Sequence, residues 1–159
     1  MSRRDQIELT PDEQRAYLAS QRTVVLASVG PDGAPHVVPM WFCLRDGVVH
    51  TWTYATSQKA RNLARDPRAT LLVEDGETYE VLRGVMVRAE AELLDDPDDV
   101  FDVGWEIAVR YAGGEVPTDP DVRAGMEGFV RAQAAKRVAH RFVPVETSSW
   151  DHRKLGGGY

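Results

Sequence analysis

Up to Leu94 the apolar residues fall in short β-branched or aromatic runs separated by turn signals, and beyond Asp95 they recur at helical intervals. Thr10-Pro11-Asp12-Glu13 predicts a helix start, with Thr10 as cap, Pro11 in the first position and Glu13 closing a capping box, and the helix runs to about Ser20. Thr23–Val29 reads as a buried strand, Pro31-Asp32-Gly33 as a turn, and His36–Leu44 as a second strand. Asp46-Gly47 is the strongest hairpin signal and returns the chain as a third strand, Val48–Tyr54. A short helix from Ser57 to about Arg65 stops at Asp66-Pro67, because proline cannot continue the ladder. Ala69–Glu74 is a fourth strand, and Tyr79–Leu94 reads as one long strand or two joined by a bulge near Gly84.

The helical part starts with Asp96 as cap and Pro97 in the first turn, and runs to about Tyr111. A loop through Gly113-Gly114 and Val116–Pro120 leads to a helix over about Asp121–Lys136, and Val138–Val145 is the last strand. Short strands between tight turns, with helices inserted before a closing strand, predict a mainly β (α+β) fold: an antiparallel barrel with peripheral helices. At 159 residues and 43% hydrophobic content the chain makes one domain, with a helical insertion at about 96–136 and a tail at 147–159.

Charge changes the picture at one place. Residues 51–68 hold Lys59, Arg61, Arg65 and Arg68 against Asp66 alone, a local net of +3 in a chain of net −6. The bland reading is a solvated basic helix face. The alternative is a small-anion site, because a helix start offers unpaired N–H groups and a positive dipole end, and Lys59 adds a full charge. A nucleic-acid surface needs a wider basic stripe, and the acidic balance argues against anionic membranes as well. No apolar run approaches the roughly 18 residues of a membrane span. The single cysteine, Cys43, excludes an internal disulfide and fits a reducing cytoplasm, with a structural thiol preferred over a nucleophile.

His36, His50, His140 and His152 lack the paired spacing of a metal site, and neither a Rossmann fingerprint nor a Walker loop is present. The biased tail Gly156-Gly157-Gly158 has no following helix or lysine. Trp41 and Trp52 fall on neighbouring predicted strands, with Met40 and Tyr54 nearby. Their ordinary role is barrel packing; the alternative is a flat apolar wall for a planar ring. A ring pocket beside the anion site implies a flavin-like nucleotide that carries the chemistry while the protein orients it.

Thr23–Pro35 (TVVLASVGPDGAP), followed by His36-Val37-Val38-Pro39, resembles the opening of the pyridoxamine 5′-phosphate oxidase-like split β-barrel family, and Ser57–Arg68 (SQKARNLARDPR) resembles that family's phosphate-binding segment. Gln58 stands where the oxidases themselves carry a basic residue, and Tyr54 where they carry an asparagine. The SxKxRNLxRDPR form, the section ending in Arg110–Glu115 and the closing Trp150–Leu155 are similar to the flavin/deazaflavin oxidoreductase branch that uses coenzyme F420.

That resemblance implies an oxidoreductase passing a hydride between reduced F420 and an unsaturated or conjugated small organic substrate. It implies that Ser57, Lys59, Arg61 and Asn62 hold the phosphate and neighbouring polar chain, and that Pro39, Met40, Thr51, Trp52 and Thr53 line the ring. It further implies a homodimer with the cofactor at the subunit interface, to which Tyr79, Arg83 and the tail from Trp150 contribute from either chain. No catalytic acid or base is assigned. The alternatives are the same fold using FMN, as in a pyridoxamine phosphate oxidase-like enzyme, and a non-catalytic flavin- or haem-binding storage protein.

Overall fold

The computed structural model describes residues 2–156. Its elements are α1 (Arg3–Ile7), α2 (Pro11–Ser20), β1 (Thr23–Val29), β2 (Pro35–Trp41), β3 (Cys43–Arg45), β4 (Val48–Tyr54), α3 (Gln58–Arg65), β5 (Arg68–Asp75), β6 (Arg83–Leu94), α4 (Pro97–Tyr111), α5 (Pro120–Ala134) and β7 (Arg137–Asp151). Single 3-10 turns lie at Tyr79–Val81 and His152–Leu155. The strands form one antiparallel sheet in the order β2-β1-β5-β6-β7-β4-β3. It curls into a split half-barrel with peripheral helices, the predicted α+β class. Among the described residues no helix is long and apolar enough to cross a membrane.

Most predicted elements have a visible local cause. Thr10 accepts from the Glu13 N–H and Glu13 reaches back to the Thr10 N–H, which is the expected capping box. Asp46 and Gly47 both have positive φ, 52° and 75°, and join β3 to β4 as a two-residue hairpin. Asp96 caps α4 as expected, whereas α5 is capped by Asp119 and starts at Pro120, one residue ahead of the expected Asp121.

Three expectations are corrected. The second strand is not continuous from His36 to Leu44; it breaks at Phe42. The physical reason is topological: β2 and β3 are opposite edges of the sheet, so the chain must cross the open seam of the barrel between Trp41 and Cys43. Phe42 makes that crossing fully buried, with the Arg110 guanidinium 4.8 Å from its ring centroid. The irregularity in β6 lies between Arg88 and Ala89, not at Gly84, which sits in regular pairing opposite Trp150. The expected tail begins as strand, since β7 continues through Asp151 and a 3-10 turn follows at His152–Leu155; Gly157 and Gly158 lie outside the described residues.

Two cores result from strand alternation. Val24, Leu26, Val49, Leu71, Val73, Val85, Val87 and Phe142 fill the barrel. Val100, Val103 and Ile107 of α4 pack with Cys43, Ala139 and Trp52 on the other face of β4 and β7.

Candidate functional site

Helix α3 spans the seam at the end of the barrel opposite the Trp41–Cys43 crossing. Asn62, 0% exposed, donates from Nδ2 to Ser28 Oγ of β1 at 3.2 Å. Arg65 donates to the Val29 carbonyl at 2.5 Å. On the other side, Thr53 Oγ1 of β4 lies 3.2 Å from Ser57 Oγ, the cap that accepts from the Ala60 N–H. The helix is thus tied to β1 and β4, each one strand in from an edge of the open sheet.

The tip of α3 has spare binding capacity. Ser57 O accepts the Arg61 N–H and Ser57 Oγ accepts that of Ala60, but the backbone N–H groups of Gln58 and Lys59 have no partner among the described residues. Lys59 is half-buried, with neither a carboxylate nor a hydrogen-bond partner among them, and burial lowers the pKa of its ammonium group. Among the described residues Arg61 donates only to Gln58 Oε1, at 3.2 Å. A half-buried, unneutralised cation beside free N–H groups is stabilised by an incoming anion, because the anion restores the solvation that burial removed. The bland solvated face fits Arg61 but not Lys59.

A cationic contribution absent from the sequence reading comes from the start of β7. The Ala55 N–H donates to Lys136 O at 3.1 Å, and Tyr54 pairs with Arg137 in register, so both basic residues flank the turn that leads into α3. The Arg137 guanidinium carbon lies 4.1 Å from the Tyr54 ring centroid and 4.6 Å from that of Trp52. No local signal marked Lys136 or Arg137, because their proximity to α3 arises only from the pairing of β4 with β7.

The residues expected to line a ring divide by strand parity. Thr51 and Thr53 point into the barrel with Val49, and Met40 packs against the barrel core from β2. Trp52 points the opposite way, against α4, so a wall formed by Trp52 and Met40 does not exist within one chain. Trp41 and Trp52 do not adjoin either: Trp41 stacks on Tyr111 with centroids 4.1 Å apart. Pro39 lies on the outer sheet face beside Val25, with Val37 and Leu72. Asn62 is committed to Ser28, Gln58 and Arg65 and anchors the helix from beneath.

Tyr79 and Trp150 lie at the far end of β5 and β7. Tyr79 meets His152 edge-on at 4.4 Å, and Trp150 packs on Gly84. The length of β5, about 25 Å, separates Tyr79 from α3, so within one chain they do not share a site with Lys59. Arg83 is paired with Asp75 at 2.7 Å. Among the described residues no three His, Cys, Asp or Glu side chains converge as a metal site.

His140 and Thr51 face one another across β7 and β4 inside the barrel, 2% and 1% exposed. Burial holds the His140 pKa down at about 4, so the imidazole is neutral at pH 7.

The profile of the family described as Pyridoxamine 5'-phosphate oxidase matches residues 10–150. A search of curated proteins gives no match. Among solved structures, the conserved hypothetical protein Rv2991 from Mycobacterium tuberculosis is 40% identical, over 100% of this chain and 95% of its own, with a TM-score of 0.88. An F420 reductase is 26% identical, over 87% of this chain and 98% of its own, with a TM-score of 0.63. HutZ, the haem storage protein from Vibrio cholerae, is 16% identical over 89% of this chain and 93% of its own, with a TM-score of 0.64, a likeness of fold alone. With the profile spanning nearly the whole sheet and α3, the chain belongs to the pyridoxamine 5′-phosphate oxidase-like split-barrel family.

Proposed function

We propose that this protein is an F420-dependent oxidoreductase that binds the cofactor's phosphate at the tip of α3 and reduces an unsaturated or conjugated small organic substrate. The observation that carries the reading is Lys59: half-buried, unpaired, and adjacent to two free backbone N–H groups. Lys59, Arg61 and the N–H groups of Gln58 and Lys59 hold the anionic group, while Ser57 keeps the helix start in place through Thr53. Arg137, steadied by Tyr54 and Trp52, adds positive charge for the rest of a polyanionic chain. The hydride chemistry itself belongs to the cofactor. The likeness to the F420 reductase supports deazaflavin over FMN.

The active unit is a homodimer with the cofactor at the subunit interface. The outer face of β1, β2 and β5 supports this, since Val37 is 55% exposed there beside Pro39 and Val25. Tyr79 and Trp150 reach an α3 site only from the partner subunit, because the length of β5 lies between them within one chain. A cytoplasmic setting suits the lone buried thiol of Cys43.

Fluorescence titration of the purified protein with F420 and with FMN tests the reading. The expected result is saturable F420 binding, weakened in Lys59→Ala, followed by oxidation of reduced F420 with an enone or quinone. Tight FMN binding with none for F420 overturns the cofactor assignment. Turnover absent across a broad acceptor panel, despite binding, reassigns the protein to storage.

A further inference from the structure

A second cleft lies away from α3, where α4 passes the end of α2 and the edge strand β3. Its volume is about 500 Å³, and Leu44, Trp105, Val109 and Val116 form part of its apolar lining. That volume lies within the range of small-molecule sites, and one aromatic wall with aliphatic neighbours suits a flat ligand.

The cations at this cleft are unbalanced. Arg22 lines it with no hydrogen bond or ion pair among the described residues, its guanidinium carbon 5.7 Å from the Tyr111 ring centroid. Arg110 also lines it; Nη2 donates to the carbonyls of Leu18 and Ala19 at 3.0 Å, and to that of Gln21, whereas Nε is buried without a partner among the described residues. The carboxylate lining the cleft, Glu106, is engaged by Arg45 at 3.1 Å. Arg110 has a structural task, since it caps the carbonyl end of α2. Arg22 has none. In a chain of net −6, an unpaired guanidinium over an aromatic ring, at a cleft that also presents apolar side chains, matches a carboxylate in charge and in planar geometry. The thiol of Cys43, also in the lining, is pushed up to about 12 by burial and by Glu106. It offers an apolar surface and no nucleophile.

We propose that this cleft binds a flat, conjugated carboxylate, with the ring between Trp105 and the aliphatic wall and the carboxylate on Arg22. The proposal goes beyond the α3 reading and requires neither F420 nor Lys59. It is tested on the full chain without added cofactor, by calorimetric titration with cinnamate and with its neutral counterpart cinnamamide. Amide chemical-shift mapping of the same samples locates the site.

The expected result is saturable cinnamate binding that shifts the Gly113, Gly114 and Val116 amides, with cinnamamide at least about tenfold weaker. Arg22→Gln, an exposed change with no partner to strand, is expected to weaken cinnamate by about tenfold and to leave cinnamamide unchanged. Val116→Trp, which fills the cleft from its rim, is expected to abolish both. The proposal is overturned if cinnamate does not saturate, if the amide binds as tightly as the acid, or if either variant binds cinnamate like the parent. F420 titration in the same variants separates the two sites, since failure at this cleft leaves F420 binding intact.

Discussion

Asn62 Nδ2 donates to Ser28 Oγ at 3.2 Å, joining residues 34 apart in sequence across the mouth of the barrel. The bond is fully buried, and Asn62 Oδ1 also receives Gln58 Nε2 at 2.8 Å. One side chain therefore fixes both the seat and the first turn of α3.

Asn62→Ala strands Ser28 Oγ in the interior and releases Gln58, a loss of about 2 kcal/mol. Urea denaturation of parent and variant measures it. Asn62→Asp at pH 7, which replaces a donor with a buried charge, is expected to cost at least as much. An unchanged midpoint in Asn62→Ala contradicts the anchoring role.

Lys59 behaves in the opposite way, because its charge is unpaired before any ligand arrives. Lys59→Ala is expected to leave the unfolding free energy from urea denaturation within about 0.5 kcal/mol of the parent's. Its F420 affinity is expected to fall by about 2 kcal/mol, roughly thirtyfold in Kd. Equal affinity in the two proteins removes Lys59 from the phosphate site.

His140 predicts a pH dependence of stability. Its folded pKa of about 4 lies below the ordinary 6.5, so from pH 6.5 down towards 4 the unfolded chain takes up a proton that the folded chain refuses. The stabilisation is complete above pH 6.5 and declines as the pH falls through that window, by about 2 to 3 kcal/mol at pH 4.5. Hydrogen-bonded carboxylates such as Asp75 and Asp151, whose pKa values are lowered by arginine partners, lose their contribution only below the ordinary carboxylate range. Comparing His140→Leu with the parent at pH 7 and pH 4.5 isolates the imidazole, since His50, shifted the same way by burial, is common to both. A variant with the parent's pH slope disproves the assignment.

Gly104 and Trp52 form a matched pair. A Cβ on Gly104 would lie 2.4 Å from Trp52 Cζ3, so Gly104→Ala forces the indole or α4 to move at a cost of about 1 to 3 kcal/mol. Trp52→Phe opens space at that point, and the double variant should recover part of the loss. Strictly additive effects would mean that the two residues do not meet.

Much of the fold was legible in local sequence. The Thr10 box, the Asp46-Gly47 turn, the Asp96 cap and the proline stop after Arg65 each act within a few residues, so short-range chemistry specifies them. The break at Phe42 was not legible, because it arises from β2 and β3 lying at opposite sheet edges, a property of the strand order. At the site, the basic helix start could be read from the 51–68 segment. The neighbours Lys136 and Arg137 could not, since only the β4–β7 pairing delivers them.

By itself, the sequence determined the α+β class, most of the strands and helices, the family resemblance and the cationic start of α3. All of these depend on spacing, caps and charge within a short window of residues. Tertiary structure alone decided which face each side chain serves. It turned Trp52 towards α4, sank Asn62 beneath its own helix, and left Lys59 without a counter-ion among the described residues. Those outcomes follow from register and strand order, which set burial and pairing between residues far apart in the chain.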